Sequence, residues 1–356
     1  MNFESSSVAQ PNLDKMPVWF DNSGTDVDVV TSTRVRLARN LAHQRFPSRA
    51  SLFERSAVFG DVANAVCQSA QSRISPFTVV NFSGIKRTRM QLYVEQRLGS
   101  PGLLSTEGDR GIAFDAERRM AVIINEEDHI RMQHIGSGMQ PQALYAALDL
   151  FDDSLGEALP FAYDAGKGYL TSCPTNMGTG LRVSFLVHLP GLVLTKSIDQ
   201  VISAATQLGI SARGFFGEHS DMVGNFFQLS NSGALGQSEV GFIDSTAATI
   251  QKIVGFEREA RARIVSDASL ELTDKIFRAY GVLLHARTLT LHEFFNLTSA
   301  LRLGIHTGLF DKLTIEQVNR LTLFALPAHI QVIGDRVMNE DEISVARADM
   351  VRKFLA

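Results

Sequence analysis

Arginine is concentrated in one short segment near the start of the chain, TSTRVRLARNLAHQRF. The segment contains no acidic residue, and its arginines are Arg34, Arg36, Arg39 and Arg45. Because Arg34 and Arg36 are two residues apart, a strand would place both guanidinium groups on one face, where they could hold a polyphosphate. A solvated basic edge of the protein is the alternative interpretation of this segment.

Three consecutive acidic residues follow the short apolar run MAVII, in the segment NEEDHIR that runs from Asn125 to Arg131. Carboxylates at the end of a strand can hold a cationic substrate or the water shell of Mg²⁺. A solvated turn would also explain them. No zinc site is expected, because His129 and His134 lack zinc-ligand spacing and neither HExxH nor CxxC occurs.

Cys173 lies in the segment LTSCPTNMGTGLR, where Gly178 and Gly180 predict a loop. A neighbouring cation in such a loop would favour the thiolate, and a buried structural cysteine is the alternative. A further segment, RGFFGEH, has Arg213 and Glu218 on either side of a Gly-Phe-Phe-Gly turn. Both a mobile loop and an ordinary tight turn fit that pattern.

The glycine-rich phosphate loops of nucleotide-binding proteins do not occur in the sequence. The GKGY stretch at Gly166 lacks the Ser or Thr and the upstream glycine of a Walker A loop. The stretches GSGMQP and GTGLRV each lack the third glycine of GxGxxG. If phosphates bind, arginine side chains must therefore hold them.

Composition narrows the class of protein. The 356 residues include 34 Lys and Arg against 38 Asp and Glu, a net charge of −4, which argues against a general nucleic-acid-binding protein. No apolar run approaches the ~18 residues of a membrane span, and the N-terminus has no signal-peptide core. The only cysteines, Cys67 and Cys173, are too few for a disulfide framework. We expect a cytoplasmic protein without a nucleic-acid or membrane partner.

The elements that position these residues differ along the chain. Short apolar runs between glycine-rich connections, such as Met120 to Ile124, predict strands. After about residue 250 the apolar residues recur at helical spacing, and Thr290 and Thr314 each begin a capping-box pattern with the residue three positions on. We therefore expect an α+β fold with three parts: an N-terminal arm over 1–25, a domain over 26–255 and an all-α C-terminal domain over 256–356.

Five segments, in this order, resemble the catalytic domain of phosphagen kinases, and more closely its bacterial branch, the McsB-type protein arginine kinases. They are STRVRLARN, NEEDHIR, LTSCPTNMGTGLR, GISARGFFGEH and GNFFQLSN. The resemblance implies that residues 26–255 form an antiparallel β-sheet flanked by helices, and that the helical region is the C-terminal domain of that family. It also implies ATP and Mg²⁺ as cofactors.

The resemblance also implies roles for individual residues. Glu127 and Glu218 would face the guanidinium of the substrate, Glu127 would be the base, and Cys173 would lie beside the guanidinium. Five arginines would hold the nucleotide phosphates: Arg34, Arg36, Arg131, Arg182 and Arg213. The rest of the predicted nucleotide site is Ser32, Thr33, Val35, Arg97, Val183, Ser184, Gly214 and Gly217.

Three features depart from the wider family. STRVR begins at residue 32, which leaves no room for the helical domain that precedes it in kinases of free guanidino metabolites, so we expect an open site and protein arginine as the substrate. The bacterial Arg-Asp-x-x-Arg-Ala phosphoarginine pocket has its nearest match in Ile343-Ser-Val-Ala-Arg347-Ala348, which keeps only the second arginine. Arg97 replaces a histidine that often contacts the nucleotide base, and it could stack on that base instead.

The function implied by the resemblance is transfer of phosphate from ATP to exposed arginines of proteins. It further implies an activator protein, a Clp-type protease pathway and a homodimer formed through the helical domain. A kinase of free arginine or another guanidino metabolite is the nearest alternative. A weakly catalytic module that binds arginine or phosphoarginine is an alternative of another class, against which the retained arginines, glutamates and thiol argue.

Overall fold

A computed structural model describes residues 16–73, 76–215 and 222–356, with the backbone only for residues 70–73. The strands in these ranges are β1 (Val30–Arg39), β2 (Phe77–Asn81), β3 (Gly111–Asp115), β4 (Met120–Ile124), β5 (Ile130–Ser137), β6 (Tyr163–Asp164), β7 (Gly168–Tyr169), β8 (Leu181–His188), β9 (Ile210–Arg213) and β10 (Phe226–Asn231). Eight of them form one antiparallel sheet in the order β2-β3-β4-β5-β1-β8-β10-β9, while β6 and β7 pair as a separate hairpin.

The helices of the described ranges flank this sheet and then continue as a helical region. They are α1 (Leu52–Arg73), α2 (Arg87–Glu95), α3 (Pro141–Ala158), α4 (Pro190–Leu194), α5 (Ile198–Gln207), α6 (Glu239–Asp267), α7 (Ser269–His285), α8 (Leu291–Thr307), α9 (Ile315–Phe324), α10 (Pro327–Ile333) and α11 (Glu340–Leu355). The predicted α+β class is confirmed. None of these helices is long and apolar enough to cross a membrane.

The two faces of the sheet have different characters because side chains alternate along each strand. On β1, Val35 and Leu37 are fully buried in a core that includes apolar residues of α1, α3 and α6. Arg34 and Arg36 point to the opposite face and are only partly buried. The predicted placement of these two arginines on one face of a strand is confirmed.

A second apolar core joins the helical region to that opposite face of the sheet. It combines Ile135 of β5 and Leu186 of β8 with residues of α7, α8, α9 and α11. The predicted capping box at Thr314 is confirmed, since its side chain and that of Gln317 satisfy each other's backbone N–H groups. At Thr290 the hydroxyl accepts the N–H of Glu293 at 3.2 Å, which is one half of the predicted box.

Part of the predicted N-terminal arm is packed into the protein. Trp19 and Phe20, in a 3-10 turn (Val18–Phe20), are 1% and 2% exposed and belong to the second core. Residues 1–15 of that arm lie outside the described ranges. The predicted boundary between residues 255 and 256 falls within α6, whose side chains contact both the sheet and α7 and α8.

Candidate active site

The strand register collects arginines from β5, β1 and β8 on one face of the sheet. Directly opposite residues of paired strands share a face. Arg36 lies opposite Arg182 of β8, and Ala38, two positions after Arg36, lies opposite Arg131 of β5. Arg34 shares the face with Arg36 because the two are separated by one residue.

The same register brings in the far edge of the sheet. Arg34 lies opposite Ser184, which lies opposite Ser230 of β10. Gln228, two positions before Ser230, lies opposite Arg213 of β9. All five arginines predicted to hold phosphates therefore share one surface, which we call the arginine face: Arg34, Arg36, Arg131, Arg182 and Arg213.

Arg34 is the partly buried centre of the arginine face. Its Nη2 donates to the neutral Oε1 of Gln228 at 3.4 Å, and its buried Nε has no partner in the part of the chain that the structure describes. Burial and the charges of Arg182 and Arg131 together lower the pKa of Arg34 to about 10. An anion placed between these cations would relieve their repulsion and take up the unused donor.

Hydroxyl groups position the next arginine of the face. The Nη2 of Arg182 donates to Ser230 Oγ at 3.0 Å and to Ser211 Oγ at 3.4 Å. Both serines lie on the same face of β10 and β9, since they are opposite each other in the register. These two hydroxyls are neutral partners that help to orient the guanidinium of Arg182 on the arginine face.

Two glutamates at the edge of the arginine face bind Arg131. Its Nη1 lies 2.8 Å from Oε2 of Glu126, and its Nη2 lies 2.8 Å from Oε2 of Glu127. Glu126 also accepts the hydroxyl of Ser100 at 2.7 Å and is 10% exposed, whereas Glu127 is 43% exposed. Glu127 is therefore the more accessible of the two carboxylates, as a residue that faces a substrate must be.

The loop that carries Cys173 is connected to the turn between β4 and β5, which contains Glu126 and Glu127 and which we call the glutamate turn. The connection is made by a buried carboxylate that the sequence analysis missed. Oδ1 of Asp128, which is 1% exposed, accepts the N–H of Ser172 at 2.7 Å and Nδ2 of Asn40 at 2.7 Å. Oδ1 of Asn40 in turn accepts the N–H of His129 at 2.9 Å. The sequence signal that could have identified Asp128 is its position directly after Glu127.

Cys173 itself lies half-buried in that loop, at the start of a 3-10 turn (Pro174–Asn176). Its Sγ is 3.0 Å from Oγ1 of Thr175, and its carbonyl oxygen accepts the hydroxyl of Thr171 at 2.8 Å. The predicted loop position is confirmed, and the cysteine is not enclosed in a core.

Arg97 is held between aromatic rings and the end of β1. Its guanidinium carbon lies 4.7 Å from the ring centroid of Trp19 and 5.2 Å from that of Phe215. Nη1 donates to Ser32 Oγ at 3.3 Å, and burial together with the charge of Arg34 lowers the pKa of Arg97 to about 9. Trp19 is a further residue that the sequence analysis missed, although it is the only tryptophan of the chain.

Several predicted site residues have side chains that do not reach the arginine face. Val35 and Val183 are fully buried in the core on the other side of the sheet, and Thr33 donates its hydroxyl to the carbonyl of Gly138 at 2.6 Å on that side. Gly214 is buried just after β9. Gly217 and Glu218 lie outside the described residues.

Two of the four arginines in the opening segment have partners elsewhere. Arg39 is 2% exposed, and its Nη2 lies 2.6 Å from Oδ2 of Asp152 on α3. Arg45 lies 3.7 Å from Oε1 of Glu54 at the surface. The absence of acidic residues from the segment therefore does not leave these two arginines without a counter-ion, because acidic residues outside the segment approach them in the fold.

Arg347 of the incomplete phosphoarginine motif is buried in the helical region. Its Nε donates to the carbonyl oxygen of Ala325 at 2.8 Å, and its Nη1 donates to that of Leu289 at 2.6 Å. These bonds connect the end of α9 to the segment before α8. They occupy donors that a phosphoryl group would otherwise require.

The arginine face fits a nucleoside triphosphate better than the described residues fit a protein-bound metal. Arg34 supplies a cation whose buried Nε is an unused donor, and Arg182 is oriented by neutral hydroxyls. The described ranges contain no group of three or more His, Cys, Asp or Glu residues that could hold a metal ion. Mg²⁺ usually keeps several waters and binds through substrate phosphates, so a divalent cation would enter with the nucleotide.

Two family models match the chain. Residues 58–260 match the C-terminal catalytic domain of ATP:guanido phosphotransferases. Residues 269–356 match the C-terminal domain of the protein-arginine kinase McsB. The resemblance found in the sequence is confirmed over both the sheet and the helical region.

Curated relatives match nearly end to end. The protein-arginine kinase of Bacillus subtilis strain 168 is 35% identical over 342 residues, 96% of this chain and 94% of that protein. That of Moorella thermoacetica is 36% identical over 346 residues, 97% of this chain and 99% of that protein.

Solved structures show the same fold. A duplicated taurocyamine kinase from Schistosoma mansoni, with bound transition state analog components, superposes with a TM-score of 0.60 at 26% identity. That match covers 70% of this chain and 35% of the duplicated kinase. Lombricine kinase superposes with a TM-score of 0.57 at 23% identity over 70% of this chain and 72% of its own, which is a likeness of fold.

Proposed function

The chain belongs to the ATP:guanido phosphotransferase family, and on that premise we propose that it transfers the γ-phosphoryl group of ATP to the guanidinium of arginine residues in proteins. The observation that carries the proposal is the arginine face, five arginines on one side of the sheet, with the carboxylate of Glu127 at its edge. The arginine face supplies the charge that a triphosphate requires, and Glu127 supplies the opposite charge for a cationic acceptor.

The reaction needs a base because a guanidinium is protonated at neutral pH and is a poor nucleophile. In the proposed step a guanidinium nitrogen attacks the γ-phosphorus, the new N–P bond forms, the bond from phosphorus to the leaving oxygen of ADP breaks, and the nitrogen's proton passes to Glu127. Mg²⁺ bound to the phosphates would offset their negative charge.

Arg131 has to change partners in this scheme. It is held by Glu126 and Glu127, both at 2.8 Å. A phosphate on the arginine face competes for the same guanidinium, which would weaken its pairing with Glu127. Glu126, which has Ser100 as a second partner, stays in place. Nucleotide binding thus prepares the acceptor site.

Cys173 and Glu218 complete the proposed acceptor site. Asp128 links the Cys173 loop to the glutamate turn through Ser172, which supports a shared role for Cys173 and Glu127 at one guanidinium. The thiolate of Cys173 would then position that cation electrostatically. Glu218 is assigned by resemblance, as the second carboxylate facing the guanidinium.

Protein arginine is favoured over free arginine as the substrate by the relatives. Two of them, matched over 94% and 99% of their lengths, are named protein-arginine kinases. The helical C-terminal region also matches the domain model of that branch.

The wider setting is part of the same proposal. We infer a cytoplasmic enzyme acting in protein quality control, with an activator protein and a Clp-type protease as functional partners. A homodimer formed through the helical region is supported by apolar side chains exposed on α7, where Leu270 is 79% and Phe277 is 42% exposed.

Phosphopeptide analysis at neutral pH tests the function. The purified chain, with ATP, Mg²⁺ and casein as a loosely folded acceptor, is expected to place phosphate on arginine. Glu127→Gln should lower the rate by roughly 10²–10⁴-fold, the usual contribution of a general base. Glu117→Gln is the matched control, since Glu117 also forms a 2.8 Å surface pair with an arginine, Arg119. Phosphoserine alone, no phosphate, or equal rates for both variants would contradict the proposal.

A coupled assay separates the two guanidino kinases. Excess free arginine, without protein, should give little turnover if the acceptor is a polypeptide. Strong turnover with free arginine alone would favour the kinase of a free guanidino metabolite. No ATP turnover with either acceptor would favour the binding module.

A further inference from the structure

A groove of about 710 Å³ opens beside the Cys173 loop, and none of the residues assigned above to the nucleotide or the acceptor site lines it. The β6–β7 hairpin forms one wall, and residues 234–237, before α6, form the other. Gly178 and Thr179 close the groove at the start of β8. We call this feature the hairpin groove.

The hairpin groove begins where the Cys173 loop ends. Tyr169 and Gly178 both line it, and they pair with each other through N–H to carbonyl bonds of 2.7 and 3.3 Å. This pair closes the loop 170–177 at its base. Cys173 is four positions from Tyr169, so the two lie at most about 14 Å apart even if the loop were fully extended. A polypeptide with an arginine at Cys173 has flanking residues long enough to reach the groove.

Apolar side chains stand on both walls. Tyr163 of the hairpin and Leu235 of the opposite wall are each 62% exposed. A single exposed apolar residue is ordinary, but two on opposite walls of one groove form a surface that a partner side chain can cover. The backbone of the two sides approaches closely at Gly178, where an added Cβ would lie 2.4 Å from the carbonyl oxygen of Ala234.

Glu239 is the acidic residue among those that line the groove. Burial raises the pKa of the Tyr169 phenol, and the positive charge of Arg39 lowers it in part. Three negative charges nearby also raise this pKa, those of Asp152, Glu239 and Asp153. Asp152 is paired with Arg39 at 2.6 Å, and of these three acidic residues Glu239 is the one that lines the groove. Lys167 is the cation among the residues that line the groove. A basic side chain of the bound segment is therefore favoured near Glu239, and an acidic one near Lys167.

We infer that the hairpin groove binds the segment of the protein substrate that flanks the acceptor arginine, as an extended chain with an apolar residue between Tyr163 and Leu235 and a basic residue near Glu239. The inference rests on the proposed function and adds to it. A kinase of single guanidino molecules has no use for such a groove, whereas a kinase of polypeptides gains affinity and sequence preference from it.

Leu235→Asp tests this inference with two acceptors, casein and a single arginine blocked at both ends. The variant should raise KM for casein about tenfold. This is the effect expected if the substitution removes roughly half to all of the binding free energy that burial of one leucine side chain provides. The ratio kcat/KM for the blocked arginine should stay unchanged, because that acceptor has no flanking residues. Tyr163→Ser, on the opposite wall, should act in the same direction.

Leu150→Asp is the matched control. Leu150 is 59% exposed, against 62% for Leu235, and it lines a different cavity, on α3. Its substitution should leave both acceptors unaffected. An unchanged KM for casein in both groove variants, or an equal loss with casein and with the blocked arginine, would overturn the groove and leave the proposed function intact. Absence of phosphoarginine with the wild type would overturn the function, and the groove with it.

Discussion

Strand β1 carries arginines of two kinds on its two faces, one partly buried and one fully buried. Arg34 lies on the arginine face, where its neighbours are Arg182 and Arg131 and its hydrogen-bond partner is the neutral Gln228. Arg39 lies on the other face, where Asp152 binds it through both Nε and Nη2. Its Nη1 donates to two carbonyl oxygens, at 2.9 Å each.

The contrast separates a binding arginine from a structural one. Arg39 uses each of its nitrogens within the protein and stacks on the Tyr169 ring, with 3.5 Å between the guanidinium carbon and the ring centroid. Arg34 leaves Nε unused and lies among like charges. Burying a cation without a counter-ion costs free energy, which an arriving anion recovers. The arrangement of Arg34 is therefore that of a site for a negatively charged ligand.

The largest effect is expected from Arg34→Gln. The rate of arginine phosphorylation should fall by about 10³-fold or more, since one arginine at a transferring phosphoryl group can contribute that much. The free energy of unfolding should stay the same or rise, because a buried repulsion is removed. Kinetics and urea unfolding of the same preparation measure both quantities.

A nucleotide titration completes the test of Arg34. At a concentration of 100 Kd, a nonhydrolysable ATP analogue should stabilise the wild type by about 2.7 kcal/mol and the variant by much less. A variant that unfolds far more easily than the wild type, or that binds the analogue equally well, would remove the distinction between the two arginines.

The opposite pattern is expected from Arg39→Met. Leaving Asp152 buried without its partner should lower the free energy of unfolding by about 3–5 kcal/mol. Arg45→Met is the control, because Arg45 is 71% exposed and its pair with Glu54 is a surface pair worth little. Urea unfolding of both variants makes the measurement, and equal stability losses would show that Arg39 is no more structural than Arg45.

A smaller, pH-dependent effect sharpens the comparison at His306 on α8. Burial and the charges of Arg302 and Arg261 lower the pKa of His306 to about 3. Between pH 6.5 and about 3 the unfolded chain takes up a proton at this histidine that the folded chain does not, so the free energy of unfolding falls as the pH falls. At this position the positive charges of Arg302 and Arg261 keep the His306 side chain neutral, and the histidine does not act as their counter-ion.

The test compares His306→Gln with the wild type at pH 7 and pH 5. The wild type should lose about 2 kcal/mol more than the variant over this interval. His292→Gln, at an exposed position of the same helix, is the control and should follow the wild type. A wild type and His306→Gln that lose equal stability would contradict the role of the cations.

The glutamate turn shows how far spacing alone could be used. The run of acids after a strand indicated a candidate site, and the resemblance selected Glu127 as its proposed base. The division of labour between Glu126, held by Ser100 and Arg131, and the more exposed Glu127 depends on contacts across the fold. The same holds for Asp128, whose bond to Ser172 joins segments 44 positions apart.

The sequence by itself determined the alternation of β1, and with it the pairing of Arg34 and Arg36 on one face, because side-chain direction along a strand is a local property of the backbone. It also determined the helical character of the C-terminal region through apolar spacing and the cap at Thr314.

Tertiary structure alone decided which arginine received a counter-ion. Asp152 is 113 positions from Arg39 and reaches it only because α3 packs on β1, while no carboxylate takes the equivalent place beside Arg34 among the described residues. Electrostatic partners act through distance in space, so the same residue type on the same strand is ion-paired on one face and has no carboxylate partner among the described residues on the other, where we propose the ligand site.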